Sequence, residues 1–181
     1  VEIENNKLNV NGIEYFIKGV CYDPVPIGKT IRSFNTIDKD LLLMQEAGIN
    51  TIRVYSPIDD LAILNKIDEA GIKVITSFGY NQNGYYDILN GTYIDYINKY
   101  KDHNAILLWE LGNEYNYHPE WFNMNIDNWY LAMNNVAKKI KQIDKNHPVS
   151  TAHGEIPNKK ARQMGSNIDI WGINVYRWDD P

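Results

Sequence analysis

Hydrophobic and polar residues alternate along this chain with two different periods. A two-residue period on either side of Asn11-Gly12 predicts a β-hairpin over residues 7–18, because Asn-Gly is the strongest short signal for a hairpin turn. Beyond the hairpin, apolar residues spaced by three and four predict helices. These helices cover residues 38–47, 59–70, 93–100, 126–143 and 158–164.

Short apolar segments alternate with these helices and predict strands over residues 51–55, 73–78, 107–114, 148–152 and 168–176. Another strand occupies residues 19–22, either as a continuation of the hairpin or as a new strand from Gly19. The tetrapeptide Glu-Ala-Gly-Ile occurs at 46–49 and again at 69–72, each time as a helix end, a glycine cap and a return to a strand. Repeated units of this kind indicate a parallel sheet with helices outside it.

We therefore predict an α/β fold, a (β/α)8 TIM barrel that is incomplete. About six β/α units extend from about residue 16 to residue 181, after the hairpin at 7–18, and the whole chain is one partial barrel domain. A complete barrel typically needs roughly 250 residues. The alternative is an open doubly wound sheet, but no glycine-rich phosphate loop follows any predicted strand.

Composition narrows the classes of partner. The chain has 18 Lys and Arg against 23 Asp and Glu, and it has no basic run, which argues against nucleic acid. No apolar run approaches transmembrane length, so no membrane partner is expected. The single cysteine, Cys21, excludes an internal disulfide and cysteine-rich zinc sites, and is predicted to be a small buried hydrophobic residue.

Neither a metal nor a cofactor is expected, because no set of His, Asp and Glu has the spacing of metal ligands. The chain begins at Val1 without an initiator Met or a signal-peptide pattern, which suggests a processed product or a cloned segment. Removal of a signal peptide would favour an extracellular or periplasmic location.

Polar and aromatic side chains follow the predicted strands, at the end where a parallel barrel carries its functional residues. Glu114 ends the most apolar strand and is predicted to be a catalytic acid/base. The other strand ends supply amide, aromatic and cationic groups that suit a sugar, and the predicted substrate-binding residues are Tyr22, Arg53, Tyr55, Tyr80, Asn113, His153, Tyr176 and Trp178. For Tyr80 and His153, and for Trp121 in the following loop, packing within the protein is an equal alternative.

Strict alternation along residues 107–114 would place Glu110 and Glu114 on one face of the strand and Asn113 on the other. If Glu114 points into the barrel mouth, Glu110 then lies deeper inside the barrel. A buried carboxylate needs a partner, and Arg53 on the second strand is the expected cation.

Several of these segments resemble one clan of enzymes. Residues 108–114 (LWELGNE) look like the fourth-strand motif of the clan A retaining glycoside hydrolases, which have (β/α)8 barrels. Residues 11–20 (NGIEYFIKGV) resemble the beginning of the catalytic domain of family 2 enzymes in that clan. Residues 19–24 (GVCYDP) and 48–55 (GINTIRVY) are similar to its β-1,3-glucan hydrolases and glucanosyltransferases.

The resemblance implies a role for each matched residue. Glu114 would be the general acid/base, Asn113 would hydrogen-bond the sugar 2-hydroxyl, and Arg53 would support the charge of the nucleophile. Tyr176 would orient that nucleophile, a glutamate at the end of strand seven in this clan. Six barrel strands are accounted for here, so the nucleophile is not assigned, and Glu155 is not expected to replace it.

The resulting expectation is a glycosidase that, as the intact protein, acts on β-linked oligosaccharides or polysaccharides by a retaining mechanism. Two alternatives stay open: a β-glucan transglycosylase, and a barrel remnant that binds carbohydrate without turnover. An open barrel also exposes sheet edges, so self-association is expected in either case.

Overall fold

The computed structural model describes residues 1–81 and 86–176. It begins with a three-stranded antiparallel sheet of β1 (Glu2–Glu4), β2 (Lys7–Val10) and β3 (Ile13–Glu14). Asn11 and Gly12 have φ values of 53° and 76°, the left-handed pair that a tight hairpin turn requires, so the predicted hairpin is confirmed. The sequence pattern missed β1, which joins β2 through Asn5-Asn6, a turn of the same kind with φ values of 51° and 63°.

The remaining described strands form one parallel sheet, with every strand beside its neighbour in sequence. They are β4 (Gly19–Cys21), β5 (Thr51–Val54), β6 (Lys73–Phe78), β7 (Ile106–Asn113), β8 (Val149–His153) and β9 (Ile170–Ile173). Five helices alternate with them: α1 (Ile37–Glu46), α2 (Leu61–Glu69), α3 (Tyr93–Tyr100), α4 (Ile126–Ile143) and α5 (Lys159–Met164). This strand order never reverses, as in a barrel and unlike a doubly wound sheet.

Helix boundaries follow local chemistry. Asp60 accepts hydrogen bonds from the backbone N–H groups of Ala62 and Ile63, at 2.9 and 3.3 Å, and so caps α2. Gly48 and Gly71 follow α1 and α2 with φ values of 72° and 71°, so the repeated Glu-Ala-Gly-Ile segment is a repeated helix end. None of the helices in the described ranges has both the length and the apolar character that crossing a membrane requires.

The hydrophobic core lies between the sheet and the helices. Strand residues such as Ile52 and Val74 are fully buried, and so are Leu64 of α2 and Tyr96 of α3. Each such side chain contributes about 1.5–3 kcal/mol through the removal of apolar surface from water. The apolar stripe predicted for residues 126–143 is buried in α4 at Trp129, Met133, Val136 and Ile140, and its last member, Ile143, is partly buried against the core.

The small sheet is attached to the end of the parallel sheet where the strands begin. Tyr15 donates a 2.7 Å hydrogen bond to the carbonyl of Asn50, the residue that precedes β5. The Asn50 side chain donates to the carbonyl of Phe16 and accepts from the backbone N–H of Lys18, at 2.8 and 2.9 Å. The opposite, C-terminal ends of the strands are therefore left for a functional site.

Strand β7 does not alternate regularly to its end. Its pairing with β8 shifts register between Glu110 and Asn113, and Gly112 within that interval has a φ of 67°. A β-bulge of this kind re-aims the residues that follow it. Both Glu110 and Asn113 consequently reach Arg53, so the predicted placement of Asn113 on the opposite face was wrong.

Candidate active site

Glu114 stands immediately after β7, at the C-terminal edge of the sheet. Its backbone N–H donates to the carbonyl of Ala152 on β8 at 2.8 Å, and its side-chain Oε1 accepts from Asn174 Nδ2 at 3.0 Å. Its φ of 55° is unfavourable for a residue with a side chain, and such strain costs about 1–3 kcal/mol. The backbone of Glu114 is therefore fixed to β8, and its half-buried carboxylate is held by Asn174 from the chain after β9.

Arg53 of β5 links the inner residues of three strands. Its guanidinium lies 2.6 Å from Glu110 Oε1, with side-chain exposures of 15 % and 7 % for the two residues. Burial alone would lower the pKa of Arg53, but the hydrogen bond and the negative charge of Glu110 outweigh it, so that pKa is raised. The expected pairing of Arg53 with an inward carboxylate is confirmed.

Ser77 of β6 donates a hydrogen bond to the same oxygen of Glu110. The sequence interpretation missed Ser77, although Thr76 and Ser77 are adjacent hydroxyl residues in an otherwise apolar part of β6 and were an available signal. With Arg53 and Ser77 around it, the buried Glu110 carboxylate is compensated as a buried charge must be.

Asn113 is oriented by two donors. Its Oδ1 accepts from Arg53 Nη2 at 2.9 Å and from Asn174 Nδ2 at 3.3 Å. These bonds define the oxygen end of the amide, so its Nδ2 donors point away from Arg53 and Asn174. Asn113 and Glu114 are thus presented together, each touched by Asn174 from the chain beyond β9.

Tyr55 lies next to this network, after β5. The Arg53 guanidinium is 4.7 Å from the centre of its ring, and its hydroxyl donates to Cys21 Sγ at 3.4 Å. Cys21 is exposed, so its prediction as a buried residue was wrong. The hydrogen bond to Cys21 and, next to it, partial burial raise the pKa of Tyr55. Tyr176 lies in the chain after β9 and is exposed.

A cavity of about 320 Å³ opens beside Glu114. Its walls include Tyr55, Asn113 and Glu114, together with His118 and Trp121 from the loop after β7. The rings of His118 and Trp121 stack with centres 3.9 Å apart and planes 6° from parallel, and Trp121 stays 49 % exposed. The cavity thus combines a carboxylic acid, an amide and aromatic surfaces, the mixture that a sugar site uses.

Tyr22 and Tyr80 are not brought to this cavity. Tyr22 is 8 % exposed and donates a 2.8 Å hydrogen bond to Asp40 of α1. The ring of Tyr80 packs against Phe122 and Trp129, with centres 5.2 and 6.2 Å apart. Both rings pack against helices and loops, so neither residue is assigned to sugar binding.

His153 is likewise engaged elsewhere. Its Nε2 is 3.0 Å from the hydroxyl of Tyr130 on α4, and its Nδ1 contacts the backbone carbonyl of Glu155. Burial lowers the pKa of His153 and so favours the neutral ring. Trp178, the last predicted ligand, lies outside the described residues. Across the described part of the chain, no group of three or more His, Cys, Asp or Glu is placed to hold a metal ion.

Known proteins with similar sequences include two fungal glucanosyltransferases. The chain is 26 % identical over 202 residues to 1,3-beta-glucanosyltransferase GAS4 of Saccharomyces cerevisiae, covering 93 % of this chain and 43 % of that protein. It is 23 % identical to a 1,3-beta-glucanosyltransferase of Arthroderma benhamiae, covering 93 % of this chain and 36 % of that protein. The chain therefore spans less than half the length of these relatives.

Solved structures with the same fold include beta-glucuronidases. The chain matches that of Parabacteroides merdae with a TM-score of 0.74 at 16 % identity, over 97 % of this chain and 23 % of that one. It matches that of Bacteroides uniformis with a TM-score of 0.73 at 20 % identity, over the same 97 % and 23 %. These likenesses show the fold and confirm the predicted incomplete TIM barrel.

Family membership rests on a match to a protein-family model. Residues 1–170 match the model of the glycosyl hydrolases family 2, TIM barrel domain. That span includes the small antiparallel sheet, the Arg53 network and Glu114, and it reaches the first residue of β9. The chain belongs to the TIM barrel domain family of the family 2 glycosyl hydrolases.

Proposed function

We propose that the intact protein is a glycosidase that acts on β-linked glycans by a retaining mechanism, with residues 1–181 as part of its catalytic barrel domain. The observation that carries this proposal is the pair Asn113-Glu114 at the end of β7, held by Arg53 and Asn174 in one cavity. Membership of a glycosyl hydrolase family supports it.

Glu114 acts as the acid in the first step. As a nucleophilic carboxylate bonds to the anomeric carbon, the bond from that carbon to the leaving oxygen breaks, and Glu114 gives its proton to this oxygen. Water then attacks the anomeric carbon and displaces the nucleophile, and Glu114 accepts a proton from the water. Asn113 donates its amide hydrogen to the sugar 2-hydroxyl in both steps.

The second carboxylate of this mechanism lies about 5–5.5 Å from the first. Glu110 does not fill that role, because it is 5 % exposed and already bonded to Arg53 and Ser77. Glu155 is bonded through Oε1 to Tyr117 at 3.1 Å and does not line the cavity. No residue of this chain is assigned as the nucleophile.

A transglycosylase is the second candidate, favoured because the two fungal relatives are named 1,3-beta-glucanosyltransferases. In that reaction a sugar hydroxyl replaces water, and Glu114 accepts the proton of that hydroxyl. Product analysis separates the two, since hydrolysis gives only shorter chains and transfer gives longer ones as well. Binding of glycans without any product would instead indicate a carbohydrate-binding barrel.

The test is Glu114→Gln in the intact protein. Loss of the acid should lower kcat on an oligosaccharide, which has a poor leaving group, by about 10²–10⁴-fold. A dinitrophenyl glycoside should lose much less activity in its first step, because its leaving group needs no proton. Glu155→Gln is the matched control and should stay near the parent rate. Full kcat of Glu114→Gln on the oligosaccharide would overturn the assignment.

We also propose that the chain associates with copies of itself through the edges of its sheet. The described parallel sheet has β4 at one edge and β9 at the other, and strand edges pair readily with other chains. Sedimentation of residues 1–181 tests this, because further barrel strands in the intact protein would cover both edges. A monomer at every concentration would contradict it.

A further inference from the structure

A second, larger cavity of about 500 Å³ adjoins the one beside Glu114. Tyr55 and Gly79 line both cavities. The two cavities therefore lie on either side of the Tyr55 ring, at the C-terminal edge of the sheet. The volume of the second cavity is within the range of about 300–1,000 Å³ that small-ligand sites occupy. The mechanism proposed above uses none of its remaining lining residues.

The far wall of this second cavity is held in place by a hydrogen-bonded carboxylate. Asp59 accepts from Lys99 Nζ at 2.6 Å, from the Tyr86 hydroxyl at 2.5 Å and from the Tyr100 hydroxyl at 2.7 Å. The bonds from Lys99 and Tyr86 lower the pKa of Asp59 to about 2, so the carboxylate is ionised at neutral pH. Its side chain is still 38 % exposed, which leaves oxygen surface for a further donor.

Arg32 supplies donors from another side of the cavity. Two of its nitrogens donate to the carbonyls of Ser56 and Pro57, at 2.7 and 2.8 Å, which holds the guanidinium in place. The central guanidinium carbon of Arg32, Cζ, lies 5.0 Å from the centre of the Phe34 ring. Because a guanidinium has five N–H donors, Arg32 keeps donors beyond these two carbonyls. The cavity thus offers an acceptor, a donor and aromatic surfaces around one space.

The charge of the lining decides which sugars fit. Asp59, Asp60 and Asp87 line the cavity together with Arg32, and even with Lys99 on Asp59 the carboxylates outnumber the cations by three to two. A carboxylate on the ligand would be repelled by this excess, whereas neutral hydroxyls satisfy both Asp59 and Arg32. The lining therefore favours a neutral sugar over a uronic acid.

We propose that this cavity is a second sugar subsite, which binds a neutral hexose unit of a β-linked oligosaccharide that passes over Tyr55 to Glu114. The inference rests on the proposed glycosidase function and extends it. It makes the substrate an oligosaccharide chain rather than a simple glycoside, since one sugar unit cannot fill both cavities.

The test compares Tyr86→Phe with Tyr100→Phe in the intact protein. Each removes one phenol hydroxyl from Asp59, but only Tyr86 lines the cavity, so Tyr100→Phe controls for any loss of support to the carboxylate. Calorimetry would measure the Kd of β-linked gluco-oligosaccharides of two to six units, with each variant combined with Glu114→Gln so that the oligosaccharides are not cleaved during the titration. We expect Tyr86→Phe to weaken the binding of the longer oligosaccharides about tenfold, with a smaller effect on the disaccharide, and Tyr100→Phe to show no dependence on chain length.

Ser56→Trp provides an independent test by filling the cavity while keeping the backbone carbonyl that Arg32 contacts. It should abolish the advantage of longer oligosaccharides. Equal losses at every chain length in both cavity variants would overturn the subsite while leaving the glycosidase proposal intact. A parent protein that binds and cleaves no β-glycan would overturn both. Tighter binding of oligosaccharides that contain glucuronate would overturn the preference for a neutral sugar.

Discussion

Gly112 is the residue whose replacement best tests how β7 presents Glu114. Its φ of 67° lies in the left-handed region, and it falls within the register shift between Glu110 and Asn113. A Cβ at this position would stand 2.8 Å from a ring carbon of Trp129 and 2.8 Å from a ring carbon of Tyr115. Gly112→Ala therefore combines backbone strain with a clash against two buried aromatic rings.

The two costs are separable in size. A left-handed φ costs a residue with a Cβ about 1–2 kcal/mol. Overpacking a well-filled core costs typically about 1–3 kcal/mol more, and neither ring yields easily because Trp129 is 2 % and Tyr115 4 % exposed. The expected loss of unfolding free energy for Gly112→Ala is therefore about 2–5 kcal/mol.

Urea unfolding of the intact protein measures this loss, with Gly71→Ala as the matched control. Gly71 has a φ of 71° but nothing within 4 Å of an added Cβ, so its variant should lose only the strain of about 1–2 kcal/mol. Because the bulge aims Asn113 and Glu114, kcat should also fall in Gly112→Ala and not in Gly71→Ala. Equal destabilisation of the two variants would refute the packing argument.

Three further predictions concern buried polar groups. Arg53→Met leaves the Glu110 carboxylate without its cation and should lower the free energy of unfolding in urea by about 3–5 kcal/mol. Adding Glu110→Met should recover part of this loss. Strictly additive losses for the two substitutions would contradict the pairing. Trp109→Phe removes the 2.7 Å indole hydrogen bond to Asp144 and should cost at least about 1.5–3 kcal/mol by the same assay, so a loss below about 0.5 kcal/mol would contradict it. The lowered pKa of His153 means that the unfolded chain, with a pKa near 6.5, binds the proton more readily. The stability contributed by neutral His153 is thus present above about pH 6.5 and is lost as pH falls below it. The urea midpoint of His153→Gln should therefore depend less on pH between 7.5 and 5.5 than that of the parent. Identical pH dependence of the two midpoints would refute this.

Local patterns were sufficient for the five α-helices, for the six strands of the parallel sheet and for their order in the described part of the chain. The helices over Tyr93–Tyr100 and Ile126–Ile143 and the strand over Lys73–Phe78 coincide with their predicted bounds, because each carries a complete period of apolar residues. The last strand is shorter than predicted, Ile170–Ile173 within 168–176, since apolar residues continue past the end of its pairing with β8. Strand β1 escaped prediction because it consists of three exposed residues.

The sequence likewise predicted only some residues of the candidate site. The strand-end rule located Glu114, Asn113, Arg53 and Tyr55, because parallel strands deliver their C-terminal residues to one edge of the sheet. The rule also selected Tyr22 and His153, whose side chains contact α1 and α4 instead. A strand end specifies where a residue lies in the barrel, whereas the direction of its side chain depends on the backbone at that residue.

The sequence by itself determined the barrel architecture, the position of the Glu114 carboxylate at the end of β7 and the need for a cation near Glu110. The first two follow from the local periodicity of apolar residues. The third follows from the cost of burying a charge without a partner of opposite charge, which can be foreseen without knowing the geometry. Only the tertiary structure decided that Asn113 shares Arg53 with Glu110 and that Asn174 bonds Glu114. The bulge at Gly112 is the physical reason, since one left-handed residue, accommodated beside Trp129 and Tyr115, overrides the two-residue period of the strand.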